Sequence, residues 1–553
     1  MEIKVKQISA MEKVRKNDKF EHGEIHKISA LAGQRISYQI CVESENALLI
    51  NVSVDSTLAD NVKLFHVREA CMDAPVTING APEDYITLDP GLMPDILVPM
   101  EETGNKVSVG SFIRTIWVKL DVPADTKPGK YSVKIALAVN HFGGEPAGVV
   151  YENMTVEVVP AVMPEQKLIY TRWFYADCIA VAHGVEVFSE DHWALIDKYI
   201  AAASDMGINM ILVPIHTPPL DTEVGTARPC VQLVDIEKKG DEYEFSFTRF
   251  RRFIDICKKN GIKYFEMAHM FSQWGAEFAP NIMVTENGKT DYMFGWHVAA
   301  DSVEYVSFLK KYIAAISEEL VKEGISENTY FHISDEPSEN TVETYKTASE
   351  IIRPLIGNSR TFDALSNYVY CEQGLVECPV TSVEHIHEFL EHKLDNQWTY
   401  YCCGPQEVFT NSFMAMPSYR TRILGFLLYK YDIKGFLHWG FNFYNACRSV
   451  YPIDPYQTTS GDHAFPSGDP FVVYPAKDGV YTSLRGEVTY EAIQDMRICC
   501  ALEALVGREK VVSMIDGAAG FDLRFDHYPK NKEYLEKLRA EMVEMIGRLS
   551  TDN

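Results

Sequence analysis

The chain has 553 residues, 46% of them hydrophobic, and its 52 Lys and Arg against 78 Asp and Glu leave a formal charge of −26. That apolar share supports a large buried core and excludes wholesale disorder. The acidity removes any general electrostatic pull toward nucleic acid or an anionic membrane. No stretch reaches the roughly 18 consecutive apolar residues of a membrane span. The opening Met1-Glu2-Ile3-Lys4-Val5-Lys6 has no signal-peptide core, so a cytoplasmic protein is expected. Twelve cysteines are scattered without a Cys-x-x-Cys, and the adjacent pairs Cys402-Cys403 and Cys499-Cys500 are poorly placed for ordinary disulfides, which fits reduced thiols.

Residues 1–160 read as β. Segments 36–42, 47–54, 112–122, 131–139 and 149–159 are rich in Val, Ile and Tyr, several of them alternate apolar with polar, and turn formers such as Asp125-Thr126-Lys127-Pro128-Gly129 separate them. Short strands at this spacing predict an antiparallel β-sandwich. Residues 160–166, with two prolines, read as a linker.

From residue 167 short apolar runs alternate with helical spacing. Strands are expected at 168–174, 209–214, 264–268, 330–334, 361–364, 379–383, 399–403 and 435–439. Helices fall between most of them, as where Val303, Val306, Leu309, Ile313, Ile316 and Leu320 recur. Eight strand–helix units predict parallel pairing and a (β/α)8 barrel. A hairpin with arms 231–234 and 243–247 interrupts the series after the second strand. Residues 446–479 form a long irregular stretch, residues 488–505 are helical and positioned to close the barrel, and 532–549 is a terminal helix. The expected domains are therefore 1–160, an N-terminal β-sandwich; 161–510, a catalytic (β/α)8 barrel; and 511–553, a C-terminal helical tail.

Barrels of this kind carry chemistry at the C-terminal ends of their strands. Those ends hold Arg172, Trp173, Tyr175 and Asp177; His216; Glu266, His269 and Trp274; Asp335 and Glu336; Asp363; Glu384, His385 and His387; Tyr400 and Tyr401; and His438, Trp439, Asn442 and Tyr444. Carboxylates among aromatic rings and polar donors suit a sugar, whose ring has apolar faces and whose hydroxyls need partners. Glycoside hydrolysis needs an acid for the leaving oxygen and support for positive charge at the anomeric carbon. Glu336 is the expected acid, with burial beside Trp and Tyr raising its pKa. Arg172, His216, His269, Trp274, Tyr401, Trp439, Asn442 and Tyr444 are the expected substrate contacts. The end of the seventh strand offers no immediate second acid, and Glu407 lies a few residues late. A 2-acetamido sugar can then supply the nucleophile itself, its amide oxygen attacking while Asp335 orients the amide and steadies an oxazolinium-like intermediate. Two alternatives stay open: a glycosidase for a sugar without the acetamide, with Glu266, Asp363 or Glu407 as second acid, and a carbohydrate-binding protein without turnover. No metal site is expected: Glu384-His385-Ile386-His387-Glu388 lies late in the barrel, and His387 and His392 are five apart. Walker and Gly-x-Gly-x-x-G loops and a nucleophile elbow are missing from the sequence, and no cofactor is expected.

Ser334-Asp335-Glu336-Pro337, His269-Met270-Phe271-Ser272-Gln273-Trp274-Gly275 and Gly435-Phe436-Leu437-His438-Trp439-Gly440-Phe441-Asn442 resemble glycoside hydrolase family 123. So does the stretch 469–485, with Tyr474-Pro475 and Asp478-Gly479 ahead of Ser483-Leu484-Arg485. The resemblance runs from about residue 160 to 505. It implies a retaining exo-β-N-acetylgalactosaminidase with substrate assistance, in which Asp335 and Glu336 match the family's acid pair. The partner it implies is a small glycan or glycoside, with neither nucleic acid nor membrane insertion involved. The sequence leaves sugar linkage, natural substrate and oligomeric state open.

Overall fold

The computed structural model describes residues 3–78 and 82–551, which divide into two compact units. The first comprises Met1–Gln166, Gln406–Tyr431 and Tyr481–Asn553; the second comprises Lys167–Pro405 and Asp432–Val480. The units thus interleave along the chain, whereas the expected domains were consecutive spans. Helix Leu484–Val506, which contains the segment expected to close the barrel, groups with the first unit. Among the described residues no helix is long and apolar enough to cross a membrane.

The first unit is sheet-rich. One sheet runs Ile3–Ser9, Arg35–Ser44, Arg114–Asp121, Val62–Met72, Gly91–Pro99, all antiparallel. The other runs Lys27–Ala32, Pro146–Val162, Gly129–His141, Leu48–Asp55, Lys106–Val109. Alternation makes the strands one-sided: in Gly129–His141 every second residue from Val133 to Val139 is buried. Both sheets contribute to one core, which includes Tyr38, Ile40 and Val118 from the first and Ile50, Leu137 and Val156 from the second. All five expected strands are present, and five more accompany them. Val62–Met72 lacks a clear strand signature because Lys63, His66, Arg68 and Glu69 interrupt its apolar pattern. The expected all-antiparallel pairing needs correction, because Lys27–Ala30 runs parallel to Thr155–Val158. The expected linker also begins too early. Pro160 lies within Pro146–Val162, at the register irregularity between Val158 and Val162, where its missing N–H interrupts no paired ladder position.

In the second unit eight strands form a closed parallel barrel. They are Ile169–Arg172, Met210–Val213, Tyr264–Met267, Thr329–Phe331, Arg360–Leu365, Cys378–Ser382, Trp398–Tyr400 and Gly435–His438. Each pairs with the next in chain order, and Ile169–Arg172 pairs with Gly435–His438 to close the ring. All eight coincide with expected strands. Gly435 permits a close approach, since a Cβ there would stand 2.0 Å from the Trp398 ring. Helices Glu190–Asp205, Thr248–Lys259, Val303–Lys322 and Val342–Ile352 alternate with the earlier strands, while Val369–Glu372 and Ile386–Glu391 are short.

The hairpin is displaced from its expected position, with arms Asp235–Lys239 and Glu242–Ser246 around Gly240 at φ +64°. It joins Ile282–Glu286 and Lys289–Phe294 in a four-stranded sheet. The apolar run 231–234, read as its first arm, is buried but unladdered; there the Gln232 side chain donates to the carbonyls of Val234 and Met283.

Candidate active site

Asp335 and Glu336 follow the fourth barrel strand, Thr329–Phe331. The intervening residues are held extended. The carbonyls of His332 and Ile333 accept from Met270 and Phe271 N–H, and the Asp363 carboxylate accepts from Ile333 N–H at 3.1 Å. The chain then turns abruptly. Glu336 adopts φ +42° and donates its N–H to Ala364 O at 3.1 Å; Trp274, at φ +61°, donates its N–H to Asp335 O at 2.8 Å. Left-handed backbone costs a non-glycine residue about 1–2 kcal/mol. Two such residues joined at the acid pair mark a constrained site.

That turn separates the two carboxyls by environment. Asp335 is buried, and Glu336 is exposed at the cleft. The expected burial of Glu336 is thus corrected: the buried acid of the pair is Asp335. Burial pushes its pKa well above the ordinary carboxylate range; the charges of Glu336, Asp363 and Asp221 add to the rise, and the charge of His332 opposes it. The Tyr400 hydroxyl donates to Glu336 Oε1 at 2.6 Å, which leaves Oε2 available to a ligand.

Beneath the acids lies a closed polar network. His332 Nδ1 donates to Asp363 Oδ1 at 3.0 Å and Nε2 to Glu266 Oε2 at 2.9 Å, all three residues being fully buried. Burial disfavours the charged ring, but the hydrogen bonds and charges of Asp363 and Glu266 outweigh it and hold its pKa up at about 9. Glu266 also accepts from Thr171 Oγ1 and Trp173 Nε1, and Asp363 from the Tyr345 hydroxyl. Both are thereby committed to the imidazolium, which removes them as free nucleophiles. Glu407, the other expected alternative, groups with the first unit, where it accepts from Gln406 N–H at 3.0 Å. His269, His332 and Asp363 lie close enough together to be considered as metal ligands. With both its nitrogens engaged by carboxylates, His332 has no lone pair to offer a metal.

This network titrates with a defined sign. The folded-state pKa of His332 lies above the ordinary 6.5, so its stabilisation is complete below that pH and is lost as pH rises through about 9. His332→Gln is expected to destabilise by about 3–5 kcal/mol at pH 6, the cost of stranding buried carboxylates. The gap from wild type should narrow toward pH 9, as thermal unfolding across pH will show. A constant gap would place no charge on His332.

The cleft above the network has a volume of about 160 Å³. Asp221, Asp335 and Glu336 line it, together with the rings of Trp173, Tyr175, Trp274, Tyr400 and Trp439. Trp274 is 46% exposed, and Trp439 is oriented by its Nε1 donating to Asp469 Oδ2 at 2.8 Å. Of the expected residues, then, Asp335, Glu336, Trp274 and Trp439 come together.

Six do not line the cleft. Arg172 is buried, donating to the Tyr170 hydroxyl and Gly440 O. His216 bonds His269 O, and burial lowers its pKa to about 4. His269 stacks on His332 at 3.9 Å, and burial, reinforced by the charge of His332, holds it neutral. Asn442 exchanges two hydrogen bonds with the Tyr175 backbone, and the Tyr444 hydroxyl donates to Val473 O. Tyr401, just past the end of its strand, packs edge-on to Phe436 and His438, and Tyr400 takes the cleft side.

Asp221 was not anticipated. It follows the second strand at φ +39°, where its Oδ2 accepts from Arg448 N–H at 2.8 Å and its carbonyl accepts from Ser449 Oγ at 2.7 Å. Burial raises its pKa to about 6 against the opposing pull of Arg448 and Arg228. Arg228 braces the same loop by pairing with buried Asp177 at 2.9 Å, its guanidinium 5.1 Å from the Tyr175 ring. The contact between Asp221 and Arg448, 227 residues apart, has no local sequence signal; the long irregular stretch ending at residue 479 was its only trace.

A parallel barrel that gathers carboxyls and indole rings in one cleft at its strand ends defines a carbohydrate-processing enzyme. A family model described as glycoside hydrolase 123, catalytic domain, matches residues 173–502, and one described as glycoside hydrolase 123 N-terminal domain matches residues 11–139. The chain belongs to glycoside hydrolase family 123 and is a glycoside hydrolase. Its fold is similar to that of a family 123 glycoside hydrolase from Clostridium perfringens studied for glycolipid glycan hydrolysis. The TM-score is 0.73 at 16% identity, with 100% of this chain and 98% of that one covered. A Bifidobacterium dentium β-glucuronidase matches at TM-score 0.31 and 8% identity, covering 84% of this chain and 62% of that one. No curated protein matches the chain.

Proposed function

We propose that the enzyme is a retaining exo-β-N-acetylgalactosaminidase that takes its nucleophile from the 2-acetamido group of the substrate. The observation that carries this reading is the unequal acid pair: a buried Asp335 beside an exposed Glu336 whose Oε1 is held by Tyr400. Burial of Asp335, with repulsion from the neighbouring Glu336, favours a proton on Asp335. A bound acetamide that donates its N–H to Asp335 favours the anion and releases that proton within the pair. Glu336 Oε2 then protonates the glycosidic oxygen as the C–O bond breaks and the acetamido oxygen bonds to the anomeric carbon. Asp335 stabilises the resulting oxazolinium. Glu336 next takes a proton from water, which attacks the anomeric carbon, reopens the ring and restores the acetamide with net retention. Trp274 and Trp439 supply apolar faces to the sugar, and Asp221 accepts from its hydroxyls.

The alternative without an acetamide would need a nucleophilic carboxylate, and in the cleft Asp221 is the acid placed to compete for that role. A panel of nitrophenyl glycosides separates the two. Hydrolysis of the β-GalNAc glycoside with inhibition by a thiazoline analogue supports the proposal. Turnover of an unsubstituted hexoside without a thiazoline effect would transfer the role to Asp221.

Tyr400 and Tyr401 provide an internal comparison. Losing a hydrogen bond to a charged group costs about 1.5–3 kcal/mol. Tyr400→Phe is therefore expected to lower kcat/KM about 10- to 100-fold, whereas Tyr401→Phe should stay within about threefold of wild type. Steady-state kinetics on β-GalNAc nitrophenyl glycoside measures both, and the reverse ranking would refute the placement of Glu336.

A further inference from the structure

Cys402 and Cys403 both line the catalytic cleft, alongside Glu336 and Trp439. Consecutive residues in a strand point to opposite faces. Here the chain has left strand Trp398–Tyr400 and turns, with Cys402 N–H donating to Gly404 O at 3.0 Å. Both sulfurs consequently face one space, 3.9 Å apart. An S–S bond would need them at about 2.05 Å, so the pair is a dithiol. Two thiolates on one tetrahedral ion, with metal–sulfur bonds of about 2.3 Å, stand about 3.8 Å apart. The spacing therefore matches a chelate edge without rearrangement. Sulfur selects soft ions, and the carboxylates of Asp221 and Glu336 in the same cleft add attraction for a cation.

We infer that Cys402 and Cys403 form a chelating site for a soft divalent cation of the zinc–cadmium type, and that its occupation blocks the sugar cleft. Binding is a proton-for-metal exchange with no redox step: two S–H bonds break, two metal–sulfur bonds form, and two protons leave. Water completes the coordination, and the bound ion occupies the wall beside Glu336. The consequence for turnover rests on the cleft being the sugar site; the ion site itself does not.

The test titrates the full chain with Cd²⁺ and follows iodoacetamide labelling of each cysteine by mass spectrometry. One equivalent should slow alkylation of Cys402 and Cys403 together by at least about tenfold, raise a thiolate-to-cadmium absorption band, and slow glycoside hydrolysis in the same proportion, reversed by EDTA. Cys402→Ser and Cys403→Ser should each lose the band. Unchanged labelling of both residues in the wild-type protein overturns the site, whatever the variants do. Shielding of both without slower turnover overturns the blocking role. Labelling is read without substrate, so an absence of N-acetylgalactosaminidase activity would count against the proposed reaction and leave the site test intact.

Discussion

Asp335→Asn is expected to lower turnover about 10²–10³-fold on activated and unactivated leaving groups alike, and at the same time to stabilise the fold. The kinetic loss follows because the carboxylate would stabilise positive charge that develops on the bound acetamide whatever the leaving group; deleting one such preorganised partner typically costs this much. The stability gain follows from linkage. The folded Asp335 holds its proton to a pH well above the ordinary 3.8, so above pH 3.8 the folded chain binds more protons than the unfolded one. Stability then falls as pH rises through that interval, by about 1.4 kcal/mol per unit. Asn carries no charge and removes the dependence. Thermal unfolding at pH 4 and pH 7 should show the variant gaining on wild type at the higher pH, together with the collapse in kcat. A variant that loses activity but shows no pH-dependent gain would mean that Asp335 is ionised in the resting enzyme.

Glu336→Gln should give a different signature. General acid help is worth about 10²–10⁴-fold, and it matters most when the departing oxygen is a poor leaving group. The variant is expected to lose about 10³-fold on an alkyl glycoside and far less on a dinitrophenyl one. With the activated substrate the oxazolinium still forms, but water lacks its base. Azide, which needs none, should accelerate turnover and leave a β-glycosyl azide of retained configuration. Near-wild-type rates on both substrates, or azide product of inverted configuration, would remove Glu336 from the acid–base role. Together the two variants separate stabilisation of the intermediate from proton transfer.

Much of this architecture was legible because it is local. The eight barrel strands were found from short apolar runs between helical periods, and five strands of the first unit from alternation. Among the other five, Val62–Met72 carries charges that mask the pattern, and Lys27–Ala32 pairs parallel with a strand more than a hundred residues away. At the site, Asp335 and Glu336 were located because they follow a strand, and Trp274 and Trp439 for the same reason. Side-chain orientation has no such local signature. Tyr400 and Tyr401 differ by one residue, and nothing in the local sequence says which faces the cleft. Arg172, His216 and His269 are polar residues near strand ends that the interior absorbs through hydrogen bonds or stacking. Asp221 depended on a contact with Arg448 and Ser449 across the chain.

The order of strands and the adjacency of the two acids belong to the sequence alone, since both follow from side-chain periodicity and from a peptide bond. Which acid is buried, which tyrosine meets Glu336, and which third carboxyl shares the cleft were decided only by tertiary structure. The reason is that periodicity sets the spacing of side chains but not their phase about the barrel axis. That phase comes from packing and from hydrogen bonds between residues distant in the chain, of which the bond from Glu336 N–H to Ala364 O is the clearest case.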